Sequence, residues 1–279
     1  MVPATNIKPR FVDVNGYPLA YVEAGTGSPA LLLIHGSMSD YRSWENQMVP
    51  LSARLRTLAV SLRHCYPAQW DGTSGDFSVE QHAADVAAFV ERMDLGPVHV
   101  IGHSRGGAVA TLLAVQRSEL IRTLILGDPG GFDALLPHTP EGTAMAQETA
   151  NMFERLRHDL ASTDPETAAR NFSEALSGPS AWERRTPEAR QVMLDNIRTG
   201  PPSEQRPQFT VDQIASIEAP VLAITGARSP PRYRTIFARM RGINPRVSPL
   251  VTIDNAAHAM QRDNPAAFNA AVLAFLGTE

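Results

Sequence analysis

The chain has very little cysteine and no long hydrophobic run. Cys65 is its single cysteine among 279 residues, which excludes an intramolecular disulfide and fits a reducing compartment. No stretch reaches the roughly 18 consecutive apolar residues that a membrane-spanning helix needs. The first residues also lack the charged and then apolar pattern of a signal peptide. We therefore expect a cytoplasmic protein that has no membrane partner.

The sequence also lacks a charge imbalance and the motifs of several ligand-binding classes. Its net charge of -4 gives no sign of a nucleic acid partner. No pair of cysteines or histidines has metal-ligand spacing, and neither a Walker A motif nor a G-x-G-x-x-G motif occurs. We therefore expect no metal, no cofactor and no nucleic acid, and we predict a small-molecule partner. The oligomeric state stays open.

Strand and helix patterns alternate through most of the chain. Two short alternating runs, at 10–15 and 19–23, predict an antiparallel hairpin. Continuous apolar runs predict buried strands at 30–34, 58–62, 98–101, 124–126, 221–226 and 250–253. Helical stretches separate these runs, for example at 44–55 and at 78–93. This alternation is typical of an α/β fold with a mostly parallel, doubly wound sheet.

The alternation is interrupted between residues 129 and 219. This segment has no convincing strand, and its helical stretches lie at 143–160, 167–176 and 187–196. We predict a core made of residues 1–128 and 220–279, with a helical cap (lid) at 129–219 inserted after the sixth strand. Such a cap would lie over the carboxyl edge of the sheet, where α/β folds bind ligands.

The most informative motif is Gly102-His103-Ser104-Arg105-Gly106. It follows a predicted strand and opens an alanine- and leucine-rich helix, which is the context of a nucleophile elbow. Small residues are needed at both ends of the motif because the turn brings the strand and helix backbones close together. The motif therefore predicts that Ser104 is a nucleophile whose oxygen is exposed above the sheet.

A serine nucleophile needs a base, and His258 is the best candidate among the eight histidines. It lies between the last predicted strand and the last predicted helix, at the same sheet edge as the elbow. The other histidines lie in a strand, in motif turns, on helices or in the cap. His64 follows a strand and is a candidate for the wall of the pocket.

These motifs resemble those of the α/β-hydrolase superfamily over essentially the whole chain. The matching segments are His35-Gly36 after the third strand, the elbow, and His258-Ala259-Met260 before the final helix. The resemblance implies an α/β-hydrolase fold of the capped, serine esterase- or lactonase-like kind. It also implies that Ser104 is the nucleophile and His258 the general base, with the backbone N–H groups of Ser37 and Arg105 forming the oxyanion hole.

The sequence departs from the family pattern at the acid of the triad. Many relatives have an aspartate in a G-x-x-D turn after the strand that corresponds to 221–225, and here Ser229 occupies that place. We interpret Ser229 as the N-cap of the next helix, before Pro230. Other members carry the acid after the preceding strand, which points to Asp128. We predict that Asp128 orients His258, with Asp254 as the alternative.

The resemblance implies a cofactor-independent serine hydrolase of a small, mostly apolar carboxylic ester or lactone, acting through an acyl-enzyme. A carbon–carbon bond hydrolase and a poorly hydrolytic receptor or scaffold stay open as alternatives. Ser104 argues against haloalkane dehalogenases and epoxide hydrolases, which need an aspartate at the elbow. The Arg105 side chain has two interpretations, a clamp on a substrate carboxylate or a structural ion pair. The expected substrate contacts are Met38, His64, Met145, Met152 and Trp182.

Overall fold

The protein is built around one eight-stranded sheet. A computed structural model describes residues 8–73, 75–200 and 208–277. The strand order is β1-β2-β4-β3-β5-β6-β7-β8, with the first two strands antiparallel to their neighbours and the others parallel. The strands are β1 (Arg10–Val14), β2 (Tyr17–Ala24), β3 (Leu31–Ile34), β4 (Thr57–Val60), β5 (Val98–His103), β6 (Ile121–Gly127), β7 (Val221–Gly226) and β8 (Val251–Ile253). The predicted hairpin and mostly parallel α/β sheet are therefore confirmed.

Helices cover both faces of this sheet, and a further group follows β6. The helices of the described residues are α1 (Glu45–Ser52), α2 (Val79–Arg92), α3 (Arg105–Gln116), α4 (Pro140–Ser162), α5 (Pro165–Ser177), α6 (Pro187–Asp195), α7 (Val211–Ala215), α8 (Arg232–Ile243), α9 (Met260–Asp263) and α10 (Pro265–Leu276). The helix expected at 44–55 begins as a 3₁₀ turn, Tyr41–Trp44, and ends at Ser52.

The central strands are apolar throughout because both of their faces are covered. All four residues of β3 are buried. Leu32 and Ile34 belong to the cluster of apolar side chains shared with α2 and α3, and Leu31 and Leu33 belong to the cluster shared with α1 and α10. Successive side chains of a strand point to opposite faces, so a strand buried on both faces needs apolar residues at every position.

The helices α4, α5 and α6 lie between β6 and β7 in the chain and share a small core with the loop after β3. Each begins with a proline after a capping residue, because proline needs no N–H bond at the first helical position. The side chains of Thr139, Asp164 and Thr186 accept a hydrogen bond from the backbone of these first turns. The shared core comprises Met38, Met152, Leu156, Ala169, Phe172, Trp182 and Met193.

Parts of the predicted domains lie outside the described residues. These parts are 1–7, 74, 201–207 and 278–279. The expectation about a signal peptide concerns the first of these segments, and the third lies within the predicted cap. The domain boundaries therefore stay a prediction.

The interpretation of Ser229 as a helix cap is wrong. The helix α8 begins at Arg232, and the residue at its N-cap position is Pro231. A serine before a proline is a common cap signal, but here the N-cap position lies two residues after Ser229. The hydroxyl of Ser229 is therefore available for a different contact. Two other residues do act as helix caps, since Ser78 accepts a hydrogen bond at the start of α2 and Asn264 at the start of α10.

We predict that Gly106→Ala destabilises the fold. A Cβ atom at Gly106 would lie 2.2 Å from the carbonyl oxygen of Ile34 and 2.5 Å from that of His35, so the backbone of α3 or β3 would have to shift. We expect the free energy of unfolding to fall by about 2 kcal/mol or more, as for other overpacked sites. Urea denaturation followed by circular dichroism measures this change.

Gly242→Ala is the matched control, because Gly242 lies in α8 and a Cβ atom there would meet nothing within 4 Å. This change should raise the free energy of unfolding by about 0.5–1 kcal/mol through the lower entropy of the unfolded chain. Equal effects of the two substitutions would contradict the close approach of α3 to β3.

Candidate active site

Ser104 is held in a strained turn between β5 and α3. Its backbone angles are φ 53° and ψ -118°, a conformation that costs a residue with a side chain about 1–3 kcal/mol. The Ser104 N–H donates to the carbonyl of Gly127 at 3.0 Å, and the Ser104 carbonyl accepts from the N–H groups of Gly107 and Gly130, both at 2.9 Å. These bonds hold the turn in place against its strain.

Asp128 lies beside His258 at the carboxyl edge of the sheet. His258 Nδ1 is 3.2 Å from Asp128 Oδ2, and the Asp128 side chain is fully buried. Two hydroxyl groups also donate to this carboxylate, Thr225 Oγ1 to Oδ1 and Ser229 Oγ to Oδ2, each at 2.6 Å. The alternative acid, Asp254, is exposed to solvent. The geometry therefore pairs His258 with Asp128, and Ser229 supports that carboxylate.

Burial shifts the pKa values of both partners toward their neutral forms. Burial, together with the nearby charges of Arg232 and Arg185, lowers the pKa of His258 to about 3. Burial raises the pKa of Asp128 to about 7, while the hydroxyl groups of Ser229 and Thr225 act in the opposite direction. The imidazole is therefore neutral at neutral pH. We assign the proton to Nδ1, which faces Asp128, so Nε2 carries the free lone pair.

Two aromatic side chains fix the position of His258. The ring of His103 donates through Nε2 to the backbone carbonyl of His258 at 2.7 Å, and burial lowers the pKa of His103 to about 3, so this ring is neutral. The ring of Tyr233 is stacked on the His258 imidazole, with the ring centres 5.5 Å apart and an interplanar angle of 18°. His103 thus holds the backbone of the His258 loop, and Tyr233 holds the imidazole ring.

Ser104 lines two small cavities that lie between the carboxyl edge of the sheet and the helices α4, α5 and α6. The first cavity, of about 50 Å³, is also lined by Ser37, Met38 and His258. The second cavity, of about 60 Å³, is lined by Ser37, Arg105 and Met152 as well as Ser104. In the described residues no hydrogen bond joins Ser104 Oγ to His258 Nε2, a contact that in other enzymes often tightens only when substrate is bound.

The backbone N–H groups of Ser37 and Arg105 have no acceptor among the described residues. They are therefore available to an oxygen atom placed beside Ser104. His35 fixes the turn that carries the first of them: its Nε2 accepts from the Leu62 N–H at 3.0 Å, and its Nδ1 donates to the Gly36 carbonyl at 2.8 Å. Burial lowers the pKa of His35 to about 4, so it makes both contacts as a neutral ring.

Met38 and Met152 line the cavities, but three other predicted substrate contacts do not. Trp182 is fully buried among the cap helices, with its Nε1 donating to Glu166. Met145 packs against α8, where its sulfur lies 3.9 Å from the hydroxyl of Thr235. His64 stacks on Trp70 and lines a separate surface cavity. Among these three residues only Met145 lies in a helix, where its spacing predicts an apolar face but not the core that this face joins.

The Arg105 guanidinium forms no ion pair with a described carboxylate. It donates to the backbone carbonyl of Phe77, and its centre lies 4.5 Å from the centre of the Phe77 ring. The interpretation of Arg105 as half of a structural ion pair is therefore wrong. Several residues that line the two cavities were not predicted from the sequence, among them Phe172, Ser173, Arg185, Arg232, Tyr233 and Arg262.

The described residues contain no group of three histidine, cysteine, aspartate or glutamate side chains arranged to hold a metal ion. None of the described helices is both long and apolar enough to cross a bilayer.

A sequence comparison points to the same kind of protein as the geometry of the elbow, of the His258–Asp128 pair and of the two backbone donors. A profile described as the Alpha/beta hydrolase family matches residues 31–271. The chain belongs to the alpha/beta hydrolase family. Its fold and the resemblance inferred from the motifs are therefore confirmed, and hydrolase activity is supported at the level of the family.

Individual alpha/beta hydrolase relatives differ in how much of the chain they match. The dihydrolipoyllysine-residue acetyltransferase component of the acetoin cleaving system of Cupriavidus necator is 32% identical over 139 residues, which cover 50% of this chain and only 37% of that protein. An sn-1-specific diacylglycerol lipase of Mus musculus is 26% identical over 282 residues, which cover 95% of this chain and 87% of the lipase. A thermophilic esterase from Thermogutta terrifontis has a TM-score of 0.73 at 26% identity, and 97% of each chain is covered.

We predict that Ser229→Ala moves the low-pH side of the kcat/KM profile upward by about one pH unit. The Ser229 hydroxyl stabilises the ionised Asp128 carboxylate and so lowers its pKa. Without this donor the pKa rises, and the carboxylate is neutralised at a higher pH. Thr225→Val should act in the same direction. Rates of ester hydrolysis measured over a pH range from roughly 4 to 9 test this prediction.

Ser248→Ala is the control, because the Ser248 hydroxyl contacts the backbone of Ala223 and Pro249 rather than Asp128. Its profile should match that of the unaltered protein. A Ser229→Ala profile that also matches would contradict the role of Ser229 in supporting the carboxylate.

Proposed function

We propose that the protein is a cofactor-independent serine hydrolase that cleaves a carboxylic ester or lactone through an acyl-enzyme. The observation that carries this proposal is the 3.2 Å contact of His258 with the buried Asp128, on a ring that shares a cavity with Ser104. A nucleophile, a neutral base and a buried carboxylate behind the base are the three parts that acyl transfer requires.

In the proposed first step, Ser104 Oγ attacks the carbonyl carbon while His258 Nε2 accepts the hydroxyl proton. The carbonyl oxygen becomes an oxyanion, which the N–H groups of Ser37 and Arg105 stabilise by about 3 kcal/mol each. His258 then gives the proton to the leaving alkoxide, and the carbonyl carbon keeps its bond to Ser104. The Asp128 carboxylate stabilises the imidazolium that exists between these two proton transfers.

In the second step water replaces the alcohol. His258 accepts a proton from the water as its oxygen attacks the acyl carbon, and it returns that proton to Ser104 Oγ as the acid leaves. The same donors stabilise the second oxyanion. The N-terminus of α3 also points its helix dipole toward the reacting oxygen, which favours the negative charge.

Two observations favour this proposal over its alternatives. Relatives that match nearly the whole chain include a lipase and an esterase, both enzymes named for ester cleavage. A scaffold with no hydrolytic task has no need for a buried carboxylate, which costs free energy unless it is well bonded. The carboxylate of Asp128 therefore supports an enzyme rather than a receptor of the same fold.

We predict that Ser104→Ala lowers kcat with 4-nitrophenyl acetate by ~10⁴-fold or more, because triad members act as a unit. A fluorophosphonate probe should label the unaltered protein and not this variant. Ser39→Ala is the matched control: Ser39 lines the first cavity but lies outside the elbow, so this variant should still be labelled. Normal turnover by folded Ser104→Ala would end the proposal.

We predict that Asp128→Asn lowers kcat by about 10³–10⁴-fold, since it keeps the shape of the side chain but loses the charge that stabilises the imidazolium. Asp254→Asn is the control and should change kcat by less than about threefold, because Asp254 is exposed and apart from His258. Thermal unfolding verifies that both variants are folded. Similar losses in the two variants would contradict Asp128 as the acid.

A further inference from the structure

Two arginines line the first cavity beside the candidate nucleophile. Arg185 lies in the turn between α5 and α6, and Arg262 lies in α9, four residues after His258. Both side chains line the cavity that contains Ser104 and His258. The two arginines therefore reach the same cavity from separate segments of the chain, one between α5 and α6 and the other in α9.

Most hydrogen-bond donors of these two side chains are unused. Arg185 donates through Nε to the hydroxyl of Ser173 at 3.0 Å, and this is its one side-chain hydrogen bond to a described residue. The Arg262 guanidinium makes none with any residue in the described part of the chain. Since a guanidinium carries five N–H groups, the pair presents several charged donors to the cavity.

The positive charge of this pair is not balanced by a close carboxylate. No described carboxylate lies within 4.0 Å of either guanidinium. The acidic groups that act on Arg262 are Asp263 and Glu45, and the Asp263 carboxylate already accepts the N–H of Ala257 at 2.8 Å. Burial lowers the pKa of Arg185, and the charge of Arg262 lowers it further. An anion between the two side chains would reduce the free-energy cost of burying two positive charges next to each other.

The second cavity is less suited to hold an anion. Its Arg232 donates to the hydroxyl of Tyr233 at 2.9 Å, and its Arg105 is engaged by Phe77. The first cavity combines two guanidinium groups, whose N–H donors are mostly unused by the described residues, with an apolar wall. This wall consists of Met38, Phe172, Leu176, Val192 and Met193.

We propose that the substrate carries a carboxylate, which Arg185 and Arg262 bind while its ester or lactone carbonyl lies at Ser104. The planar forks of arginine match the two oxygens of a carboxylate, and the apolar wall suits a short methylene chain between the two groups. The substrate class is thus a monoester of a short dicarboxylic acid, or a lactone with a carboxylate side chain. This inference rests on the proposed function, and it replaces the expectation of a mostly apolar substrate.

Arg262 also gives such a substrate a route from solvent. Together with Ser43 and Val192 it lines both the first cavity and a neighbouring surface cavity of about 360 Å³. A positive side chain at this junction attracts an anion before the ester reaches Ser104.

Binding to the Ser104→Ala protein tests the subsite without turnover. Isothermal titration calorimetry compares monomethyl glutarate with methyl 5-methylhexanoate, in which an uncharged isopropyl group replaces the carboxylate. We expect the anionic ester to bind about 10- to 100-fold more tightly, as for hydrogen bonds to a charged group. Adding Arg262→Gln or Arg185→Gln should remove this preference and leave the affinity for the neutral ester unchanged.

Arg155→Gln is the matched control, because Arg155 lies exposed on α4 and the change removes the same charge. This variant should keep the full preference for monomethyl glutarate. Thermal unfolding is measured for each protein, and either cavity variant alone suffices if the other fails to fold. Equal affinities for the two esters, or an unchanged preference in both cavity variants, would overturn the subsite.

Turnover by the protein with Ser104 intact separates this proposal from the proposed function. Cleavage of both esters with no preference that depends on the two arginines would overturn the subsite and leave the hydrolase. Binding of monomethyl glutarate through the arginines, with neither ester cleaved and no fluorophosphonate labelling, would support the subsite and contradict the hydrolase. A preference in kcat/KM that is lost in both cavity variants would support both.

Discussion

The buried carboxylate of Asp128 is the contact on which the arrangement of the site depends. It accepts bonds from Thr225 and Ser229 at 2.6 Å and lies 3.2 Å from His258. These three partners come from β7, from the turn after it and from the loop before α9. A buried carboxylate is costly unless such donors surround it, so the three segments stabilise one another only when all are in place. The position of the imidazole is therefore a consequence of how the strand ends meet.

The end of β6 positions both the nucleophile, Ser104, and the pair formed by Asp128 and His258. The carbonyl of Gly127 accepts the N–H of Ser104, and the next residue, Asp128, contacts His258. The nucleophile and the acid are thus fixed by the last residue of β6 and the residue that follows it, while the base comes from another segment of the chain. The carboxyl ends of parallel strands lie at one sheet edge, so residues 104, 128 and 258 meet although they are far apart in sequence.

Local sequence patterns were enough to predict the sheet, most helix starts and the position of the elbow. Buried parallel strands give continuous apolar runs, and capping residues before prolines mark where helices begin. The same local signal failed at Ser229, because a serine before a proline gives no sign of a buried carboxylate nearby. Helical spacing placed Met145 on an apolar face of its helix but could not say which core that face joins. Arg185 and Arg262 meet only through the tertiary fold, so no spacing could have paired them.

Trapping the covalent intermediate tests the proposed chemistry most directly. The protein is mixed with 4-nitrophenyl acetate, quenched in acid during turnover, digested and analysed by mass spectrometry. If Ser104 attacks the ester, one acetyl group will be found on the peptide that contains Ser104, and it will disappear once the substrate is exhausted. Steady turnover with no acetyl group on that peptide, or with the group on another residue, would contradict the acyl-enzyme at Ser104.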